Sequence, residues 1–367
     1  MKLSHLANPR ILDQPVYQPG KPIEQVALEY KLDPQDVCKL ASNENPWGAS
    51  PDAIAAGRIA LDQVHLYPEG SGEKLRNAIS SNLNIQATQI ILGNGSNEII
   101  ELLGHVFLED GDEVIVGEHA FVVYKLVTML MGATPVIIPM PNLVHDLDEM
   151  RKAISEKTKL IFLPSPNNPT GTSNSPDEII RFAESLPEHV IFCMDEAYVE
   201  YIEKPADLRP LMKLGKKIIA MRTFSKIHGL AGLRIGYAYG HKDMIDLLQK
   251  ARQPFNANSI AQSCAIAALH DTAWVDQCRK RNLAGLKQMS IGLENLNLEF
   301  VPSQANFLLV KVGDGQSTFE SLQKVGIITR PMPKNLNEFV RISIGTEEEN
   351  TKALHALTRL FAKAQAL

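Results

Sequence analysis

The chain has 367 residues, 44% of them apolar, with 37 basic residues against 42 acidic ones and a net charge of −5. That supplies a sizeable core and length for two domains, while the charge balance argues against a nucleic-acid binder and no window nears the roughly 18 consecutive apolar residues of a membrane span. Four scattered cysteines (Cys38, Cys193, Cys264, Cys278) form no close pairs, and no metal-binding spacing is present among cysteines and histidines.

The opening residues, Met1 to Pro9, lack the apolar stretch of a secretory signal, so a soluble cytoplasmic protein is expected. From Gln89 onward strands and helices alternate. Gln89–Leu92 runs through Gly93-Asn94-Gly95 into a helix opening at Ser96, with Glu98 in its first turn. A glycine-led helix N-terminus presents free N–H groups and the positive end of the macrodipole, which suits an anion. Next come Val114–Val116, a helix from Phe121 to Met131, the strand Pro135–Ile138, a helix from Leu147 to Lys157 and a strand ending at Pro164. A helix from Pro176 to Leu186 leads to the strand Val190–Asp195; strands Lys217–Thr223 and Leu233–Tyr239 close the series. Such alternation predicts an α/β fold, a mostly parallel sheet covered on both faces. Beyond Lys242 the pattern turns to long helices (Asp243–Arg252, Ser259–His270, Ala273–Asn295) and then short strands at 300–301, 306–310, 327–329 and 340–344, with helices over 316–325 and 346–365. The boundaries read from this are a large unit over 41–250 and a smaller α+β unit over 251–367.

Three strand ends carry the chemistry. Lys226 lies in Thr223-Phe224-Ser225-Lys226-Ile227-His228-Gly229, just past the apolar run Ile218–Met221, with Arg234 eight residues on. Burying an ammonium is unfavourable unless it is paired or neutralised, and a lysine that loses its proton readily forms a Schiff base with an aldehyde cofactor. Ser225, Arg234 and, more weakly, Thr223 would then meet a phosphate. Asp195 ends the strand Val190–Asp195; it serves equally as a helix cap or as the partner of a protonated ring nitrogen. Asn168, in the irregular loop Pro166–Gly171, and Tyr198 are placed to hydrogen-bond a phenolic oxygen on the same ring. Open α/β sheets bind ligands at the carboxyl ends of their strands. His228 reads as loop packing.

Asn167-Asn168-Pro169-Thr170-Gly171, Asp195-Glu196-Ala197-Tyr198 and the run from Ser225 to Gly236 resemble, in residue type, order and spacing, the fold-type-I aminotransferases that use pyridoxal 5′-phosphate. The resemblance extends over nearly the whole chain. Tyr17–Glu24, Leu40–Pro46, Tyr67–Gly70, Gly93–Glu98 and Val340–Thr346 resemble the branch that acts on histidinol phosphate in histidine biosynthesis, with glutamate and 2-oxoglutarate as the other pair.

What the resemblance implies is specific. Lys226 carries the cofactor and moves the proton, Asp195 holds the pyridine nitrogen protonated, and Asn168 and Tyr198 tune the phenolic oxygen. Gly95, Ser96, Ser225 and Arg234 bind the cofactor phosphate. Phe121 stacks on the ring where many relatives have tyrosine. Tyr67 reaches the phosphate of a neighbouring subunit, which makes a homodimer with shared active sites. Arg341, aided by Arg330, holds the substrate's anionic group, with Tyr17, Asn45 and Asn306 lining the same pocket. The N-terminal segment, residues 1–40, joins the small unit. Two rivals share the cofactor, an aromatic amino-acid aminotransferase and a threonine-phosphate decarboxylase-like lyase. A non-catalytic regulator would need a DNA-reading domain, for which there is no room before residue 40.

Overall fold

Short, fully buried apolar strands organise the chain, which a computed structural model describes over residues 3–12, 14, 16 and 20–364. A two-residue strand, β1 (Cys38–Lys39), precedes the main sheet. That sheet comprises β2 (Ile90–Gly93), β3 (Glu113–Gly117), β4 (Thr134–Ile138), β5 (Thr158–Pro164), β6 (Ile191–Asp195), β7 (Ile218–Thr223) and β8 (Gly236–Gly240). Their order is β2-β8-β7-β6-β5-β3-β4. All neighbours run parallel except β8, which is antiparallel to both β2 and β7. Continuous burial along β2, β6 and β8 is what a sheet covered on both faces requires. Strand order reverses between β3 and β5, and ligands of open α/β sheets sit at the carboxyl ends beside such a reversal.

Each face has its own core. On one side Leu75, Ile79, Phe182, Phe192, Ala261 and Ala265 pack together; on the other Ile99, Leu103, Tyr124, Val127 and Phe162 do so. A second sheet of four strands follows, in the order β12-β13-β10-β9: β9 (Phe300–Val301), β10 (Phe307–Lys311), β12 (Arg330–Pro331) and β13 (Phe339–Ser343). β11 (Ile327–Ile328) pairs in parallel with β1. Leu308, Val310 and Ile342 of this unit pack on Met289 and Leu293 of helix Thr272–Asn295 and on Leu357 of helix Glu347–Ala364.

The structure corrects two boundaries. Helix Ser259–His270 buries Ala261, Cys264, Ala265 and Ala268 in the large unit's core, so the changeover falls after residue 270 rather than at 250. Small residues allow this: a Cβ on Gly57 of helix Pro51–Leu61 would come within 2.6 Å of Cys264 Sγ. The N-terminal segment is also divided. Val26, Ala27 and Val37 pack with Ile328 of the small unit, whereas Arg10 pairs with Asp110 and Gln14 donates to the Leu126 carbonyl at 3.0 Å, both on the large unit. Helices Ile23–Tyr30, Pro51–Leu61 and Glu73–Leu83 went unread in the sequence.

One turn locks the loop after β7 against the loop after β1. Gly229 has φ +69°, and a Cβ there would lie 2.3 Å from the Gly48 carbonyl oxygen. Gly229→Ala is expected to destabilise the protein by about 1–3 kcal/mol in denaturant unfolding; an unchanged midpoint would show that the loops can part freely.

Candidate active site

The carboxyl ends of β5, β6 and β7 bring Asn168, Asp195 and Lys226 together, and the loop after β1 closes over them. Lys226, half-buried, donates from Nζ to the Ser42 carbonyl at 3.0 Å and lies 5.6 Å from the centre of the Tyr198 ring. Burial lowers its pKa to about 8, and the nearby Arg341 guanidinium adds to the effect. An amine so poised is easily made nucleophilic near neutral pH.

Asp195 ends β6 and is buried. Its Oδ2 accepts from the Tyr124 hydroxyl at 2.6 Å and its Oδ1 from the Ala197 N–H at 2.9 Å. Burial raises its pKa, and the Tyr124 hydrogen bond is the largest influence acting the other way. Sequence reasoning missed Tyr124. The available signal was its position three residues after Phe121, on the same helical face. In the structure Phe121 caps helix Val122–Leu130 and meets Tyr124 edge-on, ring centres 5.8 Å apart.

Tyr198 is buried, and its hydroxyl oxygen accepts from Asn43 Nδ2 at 2.8 Å. Its own proton is thereby directed elsewhere. Asn168 Oδ1 accepts from Arg341 Nη1. A guanidinium only donates, so this contact fixes the amide's orientation and leaves Asn168 Nδ2 as a donor. Asn43 was passed over as a site residue although it lies in the segment Leu40–Pro46; it also exchanges hydrogen bonds with Ser343 on β13.

A third cluster forms at the start of helix Ser96–Phe107. Gly95, φ +77°, precedes it, and a Cβ on Gly95 would lie 2.5 Å from Arg234 Nη2. Arg234 Nη1 donates to Ser225 Oγ at 3.1 Å, and Ser225 N–H donates to Thr223 Oγ1 at 3.1 Å. Backbone N–H groups, a helix dipole, a hydroxyl and a guanidinium converging on a bare glycine make a cradle for a phosphate. With the buried carboxylate at Asp195 and the amine at Lys226, the donor set fits pyridoxal phosphate: an anionic group at one end, a ring nitrogen at the other, an aldehyde between.

Across the cleft, β12 and β13 pair in a register that sets Arg330 directly opposite Arg341. Arg341 is buried; its Nη2 donates to the Ala41 carbonyl at 2.6 Å, and its guanidinium carbon lies 5.3 Å from the Phe307 ring centre.

Other expectations fare differently. Asn45 is a correction: its Nδ2 donates to the Ile227 carbonyl at 2.7 Å and to Cys278 Sγ, and its Oδ1 accepts from the Trp47 N–H at 3.1 Å. Its amide is spent on fastening the lysine loop, so it is not available to a substrate. Asn306 Nδ2 donates to the carbonyls of Asn43 and Glu44, while its Oδ1 has no hydrogen-bond partner among the described residues. Tyr67 is 83% exposed, stacked on Phe255 with ring centres 4.8 Å apart, and stands apart from the residues gathered around Lys226. Tyr17 lies outside the described residues. His228 is buried against Phe224 with its pKa lowered to about 4 by burial, a neutral packing group.

This arrangement has close relatives. Residues 35–357 match the model of the family "Aminotransferase class I and II". Histidinol-phosphate aminotransferase 2 of Nitrosospira multiformis is 43% identical, covering 93% of this chain and 88% of that one. Histidinol-phosphate aminotransferase of Akkermansia muciniphila is 41% identical, covering 97% and 99%. The crystal structure of histidinol-phosphate aminotransferase from Sinorhizobium meliloti in complex with pyridoxal-5′-phosphate superposes with a TM-score of 0.88 at 25% identity over 98% of each chain. The chain belongs to the class I and II aminotransferases and, within them, to the histidinol-phosphate aminotransferases. Among the described residues no group of side chains suits a metal ion, and no helix is long and apolar enough to cross a membrane.

The Tyr124–Asp195 contact yields a test. A hydrogen bond to a charged group contributes about 1.5–3 kcal/mol. Tyr124→Phe is therefore expected to weaken pyridoxal phosphate binding about 10- to 100-fold, measured by equilibrium dialysis against the cofactor. Wild-type affinity in that variant would remove Tyr124 from the site.

Proposed function

We propose that this protein transfers an amino group from histidinol phosphate to 2-oxoglutarate in histidine biosynthesis, with pyridoxal phosphate as its cofactor. The observation that carries the reading is the Arg330–Arg341 pair. Like charges set opposite each other across two strands repel, and an arrangement of this kind is retained where an anion of high charge arrives between them. Histidinol phosphate has no carboxylate; its phosphate dianion takes that place and engages both guanidinium groups. In the other half-reaction the α-carboxylate of glutamate uses Arg341.

When bound, pyridoxal phosphate supplies a cationic ring that accepts the electron pair released as the substrate's Cα–H bond breaks. Lys226 takes that proton on Nζ and returns it one carbon away, a role suited to a pKa lowered to about 8. Asp195 keeps the ring nitrogen protonated; Tyr124 keeps Asp195 ionised against its burial. Tyr198 and Asn168 would donate to the ring's phenolic oxygen, and Phe121 would stack on the ring. Gly95, Ser96, Ser225 and Arg234 anchor the cofactor phosphate, so the reacting atoms stay fixed while substrates exchange.

The dimer reading rests on Tyr67 and its surroundings. Ile59, Leu61, Val64, Leu66 and Phe255 are all exposed in the single chain, and exposed apolar side chains near Tyr67 suit an interface. A second copy covering them would deliver Tyr67 to the neighbouring site. Free, buried cysteines suit a reducing compartment, and we assign the enzyme to the cytoplasm on that ground.

Glutamate formation is expected to be far faster from histidinol phosphate than from phenylalanine, each assayed with 2-oxoglutarate, and Arg330→Ala should lower kcat/KM for histidinol phosphate about 10- to 100-fold while changing glutamate's only slightly. A preference for phenylalanine would replace the substrate and spare the mechanism. Separately, mixing inactive Tyr67→Phe and Lys226→Ala proteins should restore part of the activity, because one site of the mixed dimer then holds neither change. Confirmed mixed dimers with no recovery would count against shared sites.

A further inference from the structure

Two polar features have no task in the mechanism above: Glu98, in the first turn of the helix that meets the cofactor phosphate, and the turn that follows helix Lys242–Ala251. The fold joins them. Pro254 cannot continue a helix, so the chain turns after Arg252 and brings Asn256, half-buried, against the start of helix Ser96–Phe107.

The turn Gly93-Asn94-Gly95 leads from β2 into that helix. Asn256 Nδ2 donates to the Leu92 carbonyl at 3.2 Å, on the strand side, and to Glu98 Oε2 at 2.7 Å, on the helix side. One amide thus clasps both ends of the turn. The same Glu98 oxygen accepts from the Asn94 N–H within it. The first N–H groups of a helix have no intrahelical partner, and a carboxylate engaged by Asn94 and Asn256 leaves those after Gly95 to an anion.

The amide has one workable orientation. Its Oδ1 accepts from Arg252 Nη1 at 2.7 Å, while Arg252 Nη2 donates to the Gly70 carbonyl at 2.9 Å and Nε to Gln249 Oε1 at 2.7 Å. A guanidinium only donates, and a carbonyl and a carboxylate only accept, so a flipped amide would lose all three of its contacts. The segment that carries Tyr67 is tied to the same guanidinium through Gly70.

We propose that Asn256 is a positioning residue for the cofactor phosphate: oriented by Arg252, it fixes Leu92 and Glu98 relative to each other and so holds the backbone of Gly95 and Ser96 in register with Ser225 and Arg234. The proposal rests on the cofactor reading above. Because the clasp acts at the phosphate end, it leaves Lys226 and Asp195, which meet the aldehyde and the ring nitrogen, in place.

The test compares pyridoxal phosphate with pyridoxal, which has the ring and the aldehyde but no phosphate, by titrating each into the full-length apoenzyme and following its visible absorbance. Asn256→Asp sets a second carboxylate against Glu98 and should weaken pyridoxal phosphate binding about 10-fold or more while changing that of pyridoxal less than about 2-fold. Adding Glu98→Gln reverses donor and acceptor across the pair, with Arg252 still donating to position 256, and the double variant should regain much of the loss. Should the aspartate variant not fold, Asn256→Ala removes the clasp without adding charge and carries the same comparison. Equal loss of the two compounds, unchanged affinity for pyridoxal phosphate, or a double variant no better than Asn256→Asp alone overturns the proposal. Wild-type protein that binds pyridoxal as tightly as pyridoxal phosphate would sink the phosphate-cradle reading, and the proposal with it.

Discussion

Cross-strand register sets Arg330 opposite the buried Arg341, whose guanidinium lies near Lys226, itself close to Arg234. Asp195 is engaged by Tyr124 and Ala197, and Glu44 by Lys39. The proposed site suits ligands that carry negative charge at both ends: a phosphate on the Gly95–Arg234 side and a second anion on the Arg330–Arg341 side. Burial is the larger cause of the lowered Lys226 pKa and Arg341 the next, so the arginine proposed to hold the substrate also favours the neutral amine.

The two-unit architecture follows from where these charges sit. Lys226, Asp195 and Asn168 are carried by loops at the ends of parallel strands, which the sheet fixes in relation to one another. Arg330 and Arg341 come from an antiparallel sheet with its own core. The loop after β1 joins them: Ser42 holds Lys226, Asn43 braces Tyr198 and Ser343, and Asn45 ties down Ile227. Two polar side chains, Asn43 and Asn45, and the Ser42 carbonyl thus tie this loop to the groups on either side of it.

What was legible in the sequence had a local signature. A charged residue closing an apolar run is conspicuous, and Lys226 and Asp195 were found that way; the parallel sheet followed from alternating patterns, and helix Ser259–His270 was placed at its true ends. Contacts between distant residues left no such mark. Nothing near Tyr124 announces that its hydroxyl meets a carboxylate 71 positions on, and Asn43 reaches Tyr198 across 155. Asn45 shows the converse: the motif around it is that of a ligand loop, yet only the fold reveals that its amide is consumed by Ile227 and Trp47. The boundary at 250 erred because an Ala-rich helix looks the same whichever sheet it covers.

Asp195 and Glu196 divide the labour of adjacent residues on a strand end. Asp195 turns to one face of the sheet and meets Tyr124, while Glu196 turns to the other and accepts from Arg222 at 2.6 Å and from the Tyr239 hydroxyl at 2.9 Å. Arg222 lies on β7, one residue before its end, and Tyr239 on β8, so a single carboxylate ties the ends of three strands behind the lysine loop. Buried ion pairs contribute little net stability once desolvation is counted, so stability is a poor reason for this one. Geometry is a better one. Removing either partner would strand a buried charge, and the strand ends would have to shift to hydrate it. Asp195 and Lys226 ride on those ends, and a proton passed between substrate and amine tolerates little displacement. The second carboxylate near Arg222, Glu200, has its pKa raised by burial to about 7 and lies 4.0 Å from the guanidinium, so the 2.6 Å contact to Glu196 is the one on which this registration rests.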